Sequence, residues 1–329
     1  MVVPVSSQRE ALGEDAVYTS VESLLSLRFY AQNLSLKPQK RSSAIIDGGA
    51  RSRYRGRGME FAEVRPYQAG DDIRSIDWRV TARTQQPYTK LFQEEKERPV
   101  LLLVDQRPSM FFGSRRVFKS VAAAQIAATI AWAAQQNNDR IGALLIGEKS
   151  ETDLRARQGK RAVLTLIQKL VEANTQLRSP VAANRNARPL AAYIEELRHV
   201  ARPGSAIFII SDFMDFDQHG AGRLTLLARH TDTRLIHLYD PLELSLPGKA
   251  PLSLSNGRDF LRIPVASQIS DKMRMLFSQR QEHLRQTAQQ IQATYAAVDA
   301  GRDLQDVLQE IFMPQRRGIS ASSMASARR

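Results

Sequence analysis

The chain has 329 residues, 43% of them hydrophobic and 25% charged, which is the make-up of an ordinary soluble globular protein holding one large α/β domain with a smaller elaboration, or two modest domains. It contains no cysteine, and this excludes a disulfide framework, a thiolate zinc site, an iron–sulfur cluster and cysteine nucleophile chemistry. The formal net charge of +13 points either to an acidic partner or anionic surface, or to a solubilising bias with basic ends.

Residues 1–18 read as a flexible N-terminus, without the basic start and apolar core of a signal peptide. In SVESLLSLRFYAQNLSL (20–36), Val21, Leu24, Leu25, Leu27 and Phe29 recur on a helical period, with Ser20 as the cap and a glutamate close behind. A polar link (37–58) follows and carries one basic cluster: Lys37, Lys40, Arg41, Arg51, Arg53, Arg55 and Arg57. From 59 to 98 the pattern is extended and broken by Pro66, Gly70 and Pro87, which predicts irregular strands and turns.

After Pro99 strands and helices alternate. VLLLVD (100–105) is a near-continuous apolar run, as in a central parallel strand covered on both faces. RRVFKSVAAAQIAATIAWAAQQ (115–136) predicts a helix apolar over most of its girth. Its core, 120–134, is too short for a membrane span of roughly 20 residues and reads as a buried helix. IGALLIG (141–147) and ETDLRAR (151–157) predict neighbouring strands; AVLTLIQKLVEA (162–173) and PLAAYIEELRHV (189–200) predict amphipathic helices. AIFIISD (206–212) and RLIHLYD (234–240) are further buried strands. A short β pair (251–263) precedes a long helix from about 268 to 292, with Met273, Phe277, Leu284, Ala288 and Ile291 along one face. YAAVD (295–299) and DLQDVLQEIF (303–312) read as the last strand and helix. GISASSMASARR (318–329) is low-complexity and basic.

This alternation predicts an α/β fold with a doubly wound, mostly parallel sheet and an N-terminal irregular β/helical elaboration. The expected divisions are 1–18, 19–98, 99–313 for the sheet domain, and 314–329 as a disordered basic tail. Three predicted strands end in an acid. Asp105, Asp212 and Asp240 would gather at one rim, where open α/β sheets bind their ligands. Two carboxylates there repel unless a cation or a proton intervenes.

EVRPYQAGDDIRSIDWRVTAR (63–83) packs acids, arginines and a tryptophan into a run expected to be non-helical. Its residues predict a polar turn in which Asp71, Asp72 and Asp77 pair with Arg65, Arg74 or Arg79, while Trp78 packs on the main sheet. A partner-binding epitope is the other reading, because Trp and Arg are favoured interface anchors.

GDDIRSIDW (70–78), with Arg65 before it and Arg79 and Arg83 after it, resembles the signature of the bacterial family called domain of unknown function 58. The likeness continues through Gly58-Met59-Glu60-Phe61, Ser211-Asp212-Phe213, Arg229-His230 and Asp240-Pro241-Leu242-Glu243, and so spans nearly the whole chain. Members of that family carry a von Willebrand factor A-like domain and accompany MoxR-type AAA+ ATPases. Many have N-terminal membrane helices; none is expected here. The resemblance implies a von Willebrand factor A-like sheet and a cytoplasmic, chaperone-like partner of such an ATPase, acting on a client protein.

It also implies a divalent-cation site built from an Asp-x-Ser-x-Ser loop, a threonine and a later aspartate, oxygens suited to magnesium. Asp105 and Ser109 match the loop, but Arg107 stands in place of its middle serine; Ser211-Asp212 matches the later element. Thr175, Asn184 and Asn186 offer no convincing threonine element. Folded inward, the always-charged Arg107 would neutralise Asp105 and Asp212 and fill the metal's space. Turned to solvent, it would leave oxygens that hold magnesium weakly. Loss of the metal site is the expectation, since one cation raises the cost of a second. The plainer alternative is that Asp105 and Ser109 cap the next helix.

The histidines at 199, 219, 230, 237 and 283 lack metal-ligand spacing, and neither a Walker loop nor a Gly-x-Ser-x-Gly elbow is present. The chain is therefore expected to be a non-enzymatic adaptor with no cofactor beyond weak magnesium. Its partner-binding residues are expected at the rim (Asp105, Arg107, Ser109, Ser211, Asp212) and in the signature (Asp71, Asp72, Arg74, Asp77, Trp78). The alternative is a nucleic-acid-binding protein or metal-dependent nuclease, for which the basic charge and Asp77 with Glu94-Glu95-Lys96 speak.

Overall fold

The computed structural model describes residues 14–36, 59–68, 71–94, 98–147, 151–176, 188–244, 252–255, 260–263 and 266–312. The expectations for the basic link (37–58), the C-terminal tail, Asn184, Asn186, Glu95 and Lys96 lie outside the described residues.

The chain divides into two compact units. One comprises Met1–Lys37 with Pro99–Arg329, the other Pro38–Arg98. In chain order the elements are α1 (Glu14–Val17), α2 (Val21–Ser26) running into a 3-10 helix (Leu27–Asn33), β1 (Met59–Pro66), α3 (Trp78–Thr84) and β2 (Tyr88–Glu94). Then come β3 (Pro99–Asp105), α4 (Lys119–Gln136), β4 (Arg140–Ile146), β5 (Glu151–Arg157), α5 (Lys160–Gln176), α6 (Leu190–Val200), β6 (Ala206–Ser211) and α7 (Gln218–Ala228). The last are β7 (Asp232–Tyr239), α8 (Pro241–Leu244), β8 (Leu252–Ser255), β9 (Phe260–Ile263), α9 (Ala266–Gln290), β10 (Thr294–Asp299) and α10 (Leu304–Phe312).

The larger unit holds a six-stranded sheet in the order β10-β7-β6-β3-β4-β5, parallel except for β5, which runs antiparallel to β4 at one edge. The doubly wound, mostly parallel α/β sheet expected from the sequence is present. Side chains alternate along each strand, so Val100, Leu102 and Val104 face one core while Leu101 and Leu103 face the other. α2, α4, α5 and α10 cover the first face, and α6, α7 and α9 the second. The alanine-rich α4 is buried at almost every position from Lys119 to Ala134. Alanine favours the helix and lets neighbouring elements approach closely on all sides.

The N-terminal helix departs from the expected division. Leu24, Leu27 and Ala31 join the sheet's core, and the Trp132 indole N–H donates to the Leu24 carbonyl at 3.2 Å, so α2 belongs to the sheet unit. The stretch expected to be flexible to residue 18 is anchored at its end: Ala16, Val17 and Tyr18 are buried, and the Phe118 amide donates to the Ala16 carbonyl at 2.9 Å. Ser20 caps α2, but the reciprocal partner is Ser23 rather than the glutamate. The helix tightens to 3-10 geometry after Ser26, which turns Phe29 outward. α7 was not foreseen, because its Gly220 and Gly222 mask the helical period. Among the described residues no helix is long and apolar enough to cross a membrane.

The smaller unit is built on the antiparallel pair β1–β2, with α3 and a 3-10 turn (Ile73–Ser75) between the strands. The run expected to be non-helical is thus helical from Trp78. Asp77 supplies the reason, because its side chain accepts the amides of Arg79 and Val80 at the helix start.

Candidate functional site

Parallel register brings the acid-ended strands to one edge. Val104 pairs with Ile210 and Ser211 with His237, so Asp105, Asp212 and Asp240 emerge at the same rim. All three are buried.

Asp105 is fully enclosed and its acceptor capacity is filled. Oδ1 accepts the Arg107 amide and Nε–H, each at 3.0 Å. Oδ2 accepts Arg107 Nη2–H at 2.8 Å and the Ser211 hydroxyl at 2.7 Å. A carboxylate offers about four lone-pair sites, and these donors take all of them. Burial pushes the Asp105 carboxyl up and nearby Asp212 adds to that; Arg107 and Ser211 pull it down. Four converging donors fit only the ionised form, which is the state this geometry holds.

Arg107 folds inward, as one of the two readings required, but its second partner is Asp215 rather than Asp212. Nη1 and Nη2 reach Asp215 at 2.7 and 2.9 Å. Burial works against the guanidinium's charge, yet the bonds to Asp215 and Asp105 raise its pKa further. Burial likewise pushes the Asp215 carboxyl up, but Arg107 and the Leu190 amide at 3.0 Å together hold it below its ordinary value. Asp215 thereby ties the rim to the start of α6.

Asp212 is held by a cation that sequence reasoning missed. Lys119, 0% exposed at the first position of α4, donates to Asp212 at 2.9 Å and to Glu243 at 2.6 Å. A helix start disfavours a buried ammonium. Burial lowers its affinity for the proton, and Asp212 and Glu243 more than restore it. The Phe213 backbone that follows is left-handed (φ 51°), a costly state for a buried aromatic residue. Asp240 accepts the Ser114 amide at 2.7 Å and its hydroxyl at 2.6 Å, while the Asp240 amide donates to Glu243 at 3.0 Å. A separate buried chain runs from the Asn174 side chain, which donates to Gln106 at 3.2 Å and accepts the Thr19 amide at 3.0 Å.

Ser109 does not join this cluster. It is exposed on the 3-10 turn Pro108–Met110, and the N-cap of α4 is Phe118 with no side-chain cap, which removes the capping alternative for Asp105 and Ser109. Thr175 bonds back to the Val171 carbonyl within its own helix. The residues therefore do not fit a divalent cation: Asp105 has no acceptor site to spare, Ser109 stands apart, and Lys119 fills the place beside Asp212. A metal set of Asp105, Ser109 and Asp212 is not assembled.

The signature is a set of local ties within the smaller unit. Arg65 pairs with Asp71 at 2.7 Å, as expected. Asp72 accepts the Arg74 amide, not its guanidinium, at 2.9 Å. Asp77 caps α3 and pairs with Lys90 at 3.3 Å instead of with an arginine. The Val80 amide above all, joined by Lys90 and the Arg79 amide, holds its pKa below the ordinary value against the opposing effect of desolvation. Trp78, expected to be packed, is 66% exposed, and Ile73 five residues before it is exposed as well. His237 is buried, its Nδ1 2.8 Å from the Tyr295 hydroxyl.

The family model described as "Protein of unknown function DUF58" matches residues 63–288. The uncharacterized protein Rv1480 of Mycobacterium tuberculosis is 30% identical over 216 residues, 66% of this chain and 66% of that protein. The uncharacterized protein YeaD of Bacillus subtilis is 22% identical over 223 residues, 68% of this chain and 53% of that protein. The match thus spans just under two thirds of the mycobacterial relative. A solved structure, the conserved hypothetical protein BatB from Bacteroides thetaiotaomicron, aligns over 65% of this chain and 97% of that one, with 14% identity and a TM-score of 0.38.

Proposed function

The chain belongs to the DUF58 family, and from that premise we propose that it is a non-enzymatic adaptor whose sheet rim docks a partner without a divalent cation. The observation that carries this reading is the internal pairing of the rim. Arg107 occupies Asp105 and Asp215, and Lys119 occupies Asp212 and Glu243, so the protein's own cations stand where a metal-dependent site needs free carboxylates. Such a rim is pre-organised and carries a fixed charge pattern, which favours recognition over chemistry. The family resemblance supplies the partner class, a MoxR-type AAA+ ATPase acting with this chain on a client protein, and the basic net charge favours an acidic surface on that partner.

The nuclease alternative loses its anchor, because Asp77 is committed to the α3 cap and to Lys90. The test is co-purification of the source cell's MoxR-type ATPase with the native chain in magnesium and in chelator. Equal recovery in both, reduced by Arg107→Ala, supports metal-free docking. Recovery only with magnesium, or none with the native chain, overturns it.

A further inference from the structure

We propose that the β5 edge and the start of α5 form a second docking groove, one that takes an acidic, strand-like peptide from a partner protein. A cleft of about 490 Å³ lies here, with Leu154 and Leu166 among its apolar residues and Arg155, Arg157, Gln158 and Arg161 among its polar ones. Several surface arginines of this unit pair with acids: Arg188 with Glu151, Arg198 and Arg223 with Glu195, Arg285 with Glu282, and Arg302 with Glu310. No side-chain hydrogen bond or ion pair of Arg155, Arg157 or Arg161 occurs among the described residues. Asp153, the one acid lining the cleft, pairs with none of them. Lys160 and Arg161 also open α5, whose first turn has no acid to offset them. Among the described residues, three cations are thus gathered around a concave surface whose one acid, Asp153, is bonded to none of them.

The backbone indicates the shape of the missing partner. β5 is an edge strand, bonded to β4 alone among the described residues, so its outer N–H and C=O groups face no neighbouring strand. Along β5 exposed and half-buried positions alternate, with Arg155 and Arg157 exposed and Leu154 and Ala156 half-buried. Residues two apart on a strand lie about 6.6 Å apart. A peptide added to this edge with acidic and apolar side chains sets carboxylates near Arg155 and Arg157 and an apolar residue near Leu154. A small anion uses the arginines but leaves the apolar floor bare. The glycine at 142 fixes the edge in place: a Cβ there would come within 2.9 Å of the Leu154 carbonyl, so the close bulged approach of β5 needs glycine.

The experiment is fluorescence anisotropy of a labelled Glu-Val-Glu-Val-Glu-Val peptide against the full chain, compared with R155Q/R157Q/R161Q. Saturable, salt-sensitive binding that weakens by roughly tenfold or more in the variant supports the groove. So does hydrogen-exchange protection of the β5 amides on binding. Thermal melts of both proteins confirm that these exposed substitutions leave the fold intact. Equal affinity for native and variant chains overturns the proposal, as does full displacement of the peptide by millimolar inorganic phosphate. Tighter, arginine-dependent binding of a single-stranded oligonucleotide also overturns it and reassigns the patch. No ATPase enters the assay, so its outcome is independent of the rim's assignment.

Discussion

Lys119 donates to Asp212 at 2.9 Å while both side chains are withdrawn from solvent. A buried charge survives only when paired, so removing one end leaves the other exposed to the full cost of desolvation. Lys119→Met is expected to cost about 3–5 kcal/mol in urea denaturation. Adding Asp212→Asn removes the stranded charge and should recover a large part of that loss. A single-variant cost below about 1 kcal/mol, the worth of a surface pair, would show that the ammonium is solvated in solution.

The same lattice governs metal affinity. With four donors on Asp105 and an ammonium on Asp212, calorimetry of the native chain with magnesium should show no heat beyond dilution up to millimolar concentrations. Arg107→Ser with Lys119→Met frees both carboxylates and should create measurable magnesium binding. Micromolar affinity in the native chain would contradict the saturation argument directly.

Much of this was legible in the sequence, and the missed rim residues share one cause. The central strands announced themselves as apolar runs, and their terminal aspartates followed from parallel topology alone. Arg107 could be weighed because it sits inside a recognisable loop. Lys119 could not, because it is separated from Asp212 by 93 positions and from Glu243 by 124, and nothing local marks a lysine that will be buried. Asp215 was overlooked for a similar reason: three residues past Asp212, it looked like an ordinary turn acid until Arg107 reached across to it. Trp78 failed in the opposite direction. An aromatic residue in an acidic turn suggested burial, whereas the Asp77 cap starts a helix that leaves it in solvent.

Acid should weaken the fold in a window set by His237. Burial above all, with Arg280 adding to it and Asp212 opposing, pulls its pKa down to about 3. The unfolded chain, with a histidine pKa near 6.5, binds a proton that the folded chain refuses, so stability falls as pH drops from about 6.5 towards 3. Between pH 7 and 5 the loss from this one group is about 2 kcal/mol. His237→Gln keeps a polar partner for Tyr295 and should flatten that part of the pH–stability curve. An unchanged slope would place the titration elsewhere. Asp215, whose carboxyl is held down, contributes stability that is present above about pH 3.8 and is lost only in stronger acid, so the two effects separate.

Trp78 and Asp77 are adjacent, yet they should respond to substitution in opposite ways. Asp77 holds the α3 start through two amides and pairs with Lys90, so Asp77→Ala is expected to destabilise the fold by about 1 kcal/mol, the usual worth of a lost cap. Trp78 is 66% exposed, and removing it strips little packing, so Trp78→Ala should shift stability by no more than about 0.5 kcal/mol. If the exposed indole is an interface anchor, that nearly silent variant should still lose capture of the proposed ATPase partner by roughly tenfold or more, since aromatic anchors carry much of an interface's energy. Urea denaturation and co-purification, run on both variants, separate the two roles. A Trp78→Ala protein that melts early yet binds normally would make the indole a structural residue and not an interface anchor.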